Sequence, residues 1–159
     1  MKIILAILIS LFSACSYSQS DAKIIAFDHA GDMNKAMTTV ILSNKDFKAV
    51  KNHEILKHKD PTYFYKINNG LLDALIDKLS NDKNTEKGDE EELGVFMTSV
   101  EQKGKIVYFN NKTFEDAKKT MTDVIAFLKS RKDTGRFIEM VERIGKEIDI
   151  RSKQKDQNL

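Results

Sequence analysis

Two periods of hydrophobicity follow one another along this chain, and together they predict its elements. Ile24-Ile25-Ala26-Phe27 and Thr38-Thr39-Val40-Ile41-Leu42 are short apolar or β-branched runs, and Asp28-His29-Ala30-Gly31-Asp32 between them is turn-rich. A strand, a loop and a second strand are expected. Asn44 is placed to cap a short helix from Lys45 to about His53, with Phe47 and Val50 three residues apart on one face. Pro61, the only proline, sits in a lysine-rich linker and pushes Asp60 towards extended geometry. Tyr63-Phe64-Tyr65-Lys66-Ile67 then reads as a third strand, in which Tyr63, Tyr65 and Ile67 share a face.

The period lengthens after Asn69, which is placed to cap a helix over 70–79; Leu71, Leu72, Leu75, Ile76 and Leu79 form its apolar stripe. Residues 81–92 carry no large apolar side chain and read as a mobile acidic surface loop. The runs 93–102 and 105–110, joined by Lys103-Gly104, predict a β-hairpin, since glycine permits the positive φ of a tight turn. Thr113, with Asp116 three residues on, opens a helix in the manner of a capping box. Phe114, Ala117, Met121, Val124, Ile125 and Leu128 follow on one stripe. Gly135 breaks the pattern, and Phe137, Met140, Val141, Ile144 and Ile148 define a last helix before a polar tail, 151–159, expected to fray. The order is β-β-α-β-α-β-β-α-α. It predicts an α+β domain over 19–150, with a mainly antiparallel sheet of about five strands and helices packed on one face.

The N-terminal stretch changes the picture from fold to address. Lys2 precedes an apolar run from Ile3 to Phe12, and small residues surround Cys15, the composition of a secretory signal over 1–18. The run is too short to span a bilayer, which takes roughly 20 residues. Phe12-Ser13-Ala14-Cys15 resembles the bacterial lipobox, with Phe12 where leucine is usual, which makes Cys15 a lipid attachment site and the mature N-terminus. Cleavage after Ser18 instead leaves Gln19 first. Cys15 is the only cysteine, so the exported domain holds no disulfide or thiolate site and depends on its core. The net charge of +2 falls to +1 once Lys2, the only charge in 1–18, is removed. With both signs interspersed, nucleic acid is not an expected partner, and contact with a membrane is expected only through the lipid anchor.

Candidate chemistry is sparse. His53 and His58 stand five apart, not four as in H-E-x-x-H, so on a helix the rings would diverge by ~140° and both are expected to be exposed linker residues. Asp28, His29 and Asp32 follow the first strand and are the weak catalytic candidates, because a carboxylate can orient an imidazole. Asp82, Asn84 and Glu86 alternate like the start of a calcium loop, but Leu93 stands where its bidentate glutamate belongs. Asn111-Lys112-Thr113 matches a glycosylation sequon. No metal or cofactor is expected. The expectation is an exported cell-envelope protein that binds an envelope or secreted partner, with Tyr63, Tyr65 and the hairpin as recognition surfaces; a small hydrolase or ligand-modifying enzyme using Asp28, His29 and Asp32 is the alternative.

Overall fold

The computed structural model describes residues 21–29, 38–57, 59, 61–90 and 96–157, so the expected secretory signal over 1–18, with Cys15, and also Asp32 and His58 lie outside the described residues. Strands β1 (Lys23–His29), β2 (Thr38–Ser43) and β3 (Tyr63–Lys66) are joined on one edge of a sheet. Its other strands are β4 (Glu86–Gly88), β5 (Phe96–Gln102) and β6 (Lys105–Asn111). Among the described residues the sheet has six strands in the order β3-β2-β1-β5-β6-β4. The α+β class is as expected, but the sheet is mixed. β3 runs parallel to β2, with Val40 opposite Tyr63 and Leu42 opposite Tyr65, while the other pairings are antiparallel. The physical reason is the connection: a parallel neighbour needs a crossover of a dozen or more residues, and 44–62 supplies it.

That crossover carries two single-turn helices, α1 (Phe47–Val50) and α2 (Glu54–Lys57), where one helix over 45–53 was expected. They lie on the face of the sheet opposite the long helices, so helices cover both faces and not one. Val50, Ile55 and Leu56 bury against Ile24, Ala26 and Ile41 there. The main core is on the first face. It joins Ile25, Phe27, Val40, Leu42, Phe96, Val100 and Phe109 to α3 (Asn69–Ser80), α4 (Phe114–Lys129) and α5 (Phe137–Gln157). The predicted stripes are the buried ones, because helical spacing puts Leu72, Leu75 and Leu79, or Met121, Val124 and Leu128, on one side.

Local chemistry fixes the ends. Asn68, not Asn69, caps α3: its Oδ1 accepts the Leu71 N–H at 2.8 Å while its Nδ2 donates to Asp133 at 3.0 Å. Arg131 foremost, then Asn68, holds the Asp133 carboxyl well below the usual carboxylate range. Thr113 caps α4 by accepting the Asp116 N–H at 3.1 Å, and Asp116 returns by accepting the Thr113 hydroxyl at 2.6 Å. The hairpin turn takes positive φ at both Lys103 (53°) and Gly104 (72°), matching the twist of the strands it joins. Gly145 lets α5 approach α4, since a methyl group there would stand 2.7 Å from Ile125 Cδ1.

Two segments read as unstructured are ordered. Glu86–Gly88 pairs with β6 inside the stretch 81–92, with the Lys87 ammonium 5.8 Å from the centre of the Phe109 ring. A short, charged strand suits a sheet edge, where apolar alternation would invite aggregation. The polar tail continues α5 to Gln157. Its last turns are braced by Lys153, which donates to Asp149 at 2.7 Å. Lys118 of α4 is the foremost cause, ahead of Lys153, that holds the Asp149 carboxyl down at about 2.

Candidate functional site

Strand register places two buried acid–base pairs on the second face of the sheet. Thr39, Asp28, Met97 and Asn110 form one row across it; Ile41, Ala26, Ser99 and Tyr108 form the next; Ser43, Ile24, Glu101 and Ile106 the third. Asp28 and Glu101 are thus on the same face, separated by four residues of strand, or ~13 Å, too far to share a ligand atom.

Asp28 is in β1, not in a loop after it, because pairing with β2 and β5 continues to His29. Its Oδ1 accepts the Thr39 hydroxyl at 2.8 Å and its Oδ2 pairs with the Lys59 ammonium. Lys59 and Asp28 are 9% and 2% exposed. Of the sequence-stated trio Asp28, His29 and Asp32, only Asp28 has a described side chain, and both its oxygens are engaged by residues outside the trio.

The second pair was not anticipated. His53, expected in an exposed linker, places Nδ1 2.8 Å from Glu101 Oε1, and Glu101 Oε2 accepts the Ile55 N–H at 2.9 Å. The side chains are 9% and 5% exposed. A carboxylate only accepts, so Nδ1 carries the hydrogen. His53 Nε2 is buried without a hydrogen-bond partner, as is Ser99 Oγ in the neighbouring row. Glu101 therefore works as a clamp: one strand side chain satisfies the donors of two residues, His53 just before α2 and Ile55 within it. A charged residue inside a β-rich run was the signal for it in the sequence.

The first face offers a concave feature. Between α3 and α4 an open groove of about 590 Å³ is lined by Ala74, Asp77, Lys78, Leu79, Asn81, Asp82, Lys83, Asn84, Thr120, Asp123, Val124 and Phe127. The half-buried Ala74 and Phe127 give it apolar surface above the buried Leu79 and Val124, and the other residues form a polar rim, across which Lys78 and Asp123 pair at 3.7 Å. One end is fixed by Asp82, which accepts the Asn84 N–H at 2.8 Å and the Thr120 hydroxyl. Asn111 in turn donates to Thr120 Oγ1 at 2.9 Å and Asn84 O at 2.8 Å. The residues that suggested a calcium loop are thus structural ties. The sequon asparagine is 1% exposed and committed to the same network.

Tyr63 and Tyr65 are half-buried and pack against the main core, Tyr65 with its ring centre 6.3 Å from that of Phe137. The hairpin strand β5 is interior, flanked by β1 and β6. Among the described residues the exposed aromatic is Phe47 of α1, 43% exposed and set edge-on to Phe64 at 5.3 Å. No protein-family model, no curated protein and no solved structure matches the chain.

Proposed function

We propose that the protein is an exported cell-envelope binding module, tethered by lipid at Cys15 or released with Gln19 first, whose groove between α3 and α4 receives a segment of an envelope or secreted partner. The groove carries this reading. Its volume of about 590 Å³ falls within the ~300–1,000 Å³ typical of ligand sites, and its polar rim surrounds a small apolar floor. An apolar side chain of the partner rests on the half-buried Ala74 and Phe127, and its amide groups meet Asp77, Asn81 and Asn84 at the rim. The export half of the reading rests on Lys2, the apolar run and the small residues at Cys15. Among the described residues no helix is long and apolar enough to cross a membrane.

Both halves are tested in intact cells with the full chain. A photo-reactive side chain at position 77, beside the groove, is expected to crosslink a partner, while the same group at exposed position 48, on the other side of the sheet, does not. Ala74→Arg, which fills the groove from half-buried α3, abolishes the crosslink. Equal crosslinking from both positions, or indifference to Ala74→Arg, overturns the groove as the site. Mass spectrometry of the same protein is expected to find acyl-Cys15 or Gln19 at its N-terminus, and retention of Met1 overturns export.

A further inference from the structure

We infer that residues 46–57, carrying α1 and α2, are a strap that opens as a unit from the second face of the sheet, with Glu101 as its latch. This is independent of the groove, which lies on the other side.

The ends of the strap are fixed and its middle is weakly held. At one end Asn44 is tied by Lys23 N–H at 2.9 Å and by its own bonds to Asp21 O and Asn69 Oδ1. At the other, Lys59 is tied to Asp28 and the Thr62 N–H donates to Thr39 O at 3.0 Å. Between these points α1 and α2 are four residues each, and a single helical turn is not stable by itself. No side chain caps the first turn of α1. Its backbone–backbone bonds are local, such as Lys51 N–H to Phe47 O and His53 N–H to Val50 O, and among the described residues none crosses to the sheet. The main apolar anchors are Val50, Ile55 and Leu56, while Phe47 remains 43% exposed beside Phe64. The opposite face, by contrast, is held by helices of 12, 16 and 21 residues.

Glu101 supplies the buried tie between sheet and strap through His53 and Ile55, beside an exposed one from Lys66 of β3 to Asp46 at 3.0 Å. The latch opposes itself in part. Closing buries His53 Nε2 without a partner among the described residues, and a buried polar atom that has lost its water is a cost that opening removes. Few buried contacts and short local hydrogen bonds are the marks of a segment that opens below the global unfolding free energy. Opening uncovers Ile24, Ala26 and Ile41 with the Glu101 carboxylate at their edge, an apolar patch that the closed protein withholds.

Native-state hydrogen exchange on the full chain tests this. Amides of 47–57 that are bonded within the strap are expected to exchange at least about tenfold faster than those of β1 and β5. Glu101→Gln is expected to accelerate strap amides by a further factor of about five, and the slowest amides of β1 and β5 by no more than that, because the latch is lost in strap opening and in global unfolding alike. If Glu101→Gln does not fold, Val50→Ala, which loosens the strap without touching the latch, is expected to accelerate the strap in the same way. Strap amides protected as strongly as those of β5, or a variant that accelerates the sheet and leaves the strap unchanged, overturns the inference.

Discussion

Lys59→Ala is expected to lower the unfolding free energy by about 3–5 kcal/mol, the cost of stranding a buried charge when its partner is removed. Asp28 is 2% exposed, and after the substitution the Thr39 hydroxyl is the hydrogen-bond partner its carboxylate keeps among the described residues. The carboxylate must then stay charged in a poorly solvated place, take up a proton, or draw water between β1 and the crossover, and each route costs stability. The double variant Lys59→Met with Asp28→Leu is expected to recover most of the loss. An apolar pair of similar volume owes no desolvation, and what remains is the unpaired Thr39 hydroxyl at about 1–3 kcal/mol. Urea unfolding at neutral pH with an unchanged slope measures both. A single-variant loss below about 1 kcal/mol, the value of an exposed pair, would show that the ion pair is solvated and sink the argument.

Glu101→Ala is expected to cost about 3–4 kcal/mol, because two donors, Ile55 N–H and His53 Nδ1–H, lose a charged acceptor worth roughly 1.5–3 kcal/mol each. Glu101→Gln is the control. Its carbonyl serves the Ile55 N–H, and its amide serves His53 once the ring exchanges tautomer, so that Nδ1 accepts and Nε2 carries the hydrogen. The glutamine variant is therefore expected to lose only about 1 kcal/mol. The gap between the two substitutions is the diagnostic quantity. Equal losses from alanine and glutamine would mean that the clamp's hydrogen bonds contribute little and that α1 and α2 are held by Val50, Ile55 and Leu56 alone.

The elements that the sequence predicts well are those whose signal is local and repeated. The stripes of α3, α4 and α5 recur over three or more turns, and the Thr113 cap needs only Asp116. The missed elements draw their stability from elsewhere in the chain. β4 has no apolar alternation of its own; it exists because β6 offers a free edge and because Asp82 and Asn84 are tied to Thr120 and Asn111. The single-turn helices of the crossover are likewise held by Glu101, 46 residues away from Ile55. The groove lay beyond sequence reading for the same reason: Asp77 and Asp123 become neighbours of one space only when α3 and α4 pack.

Local pattern by itself determined the α+β class, the apolar faces of the long helices, the hairpin turn at Lys103-Gly104 and the export expectation at Cys15, since each depends on residues within a few positions of one another. Tertiary structure alone decided that β3 pairs in parallel, that Asp28 belongs to Lys59 and that His53 is held by Glu101. A buried charge or a strand edge takes its partner from whatever the fold brings near, and sequence distance carries no information about that partner.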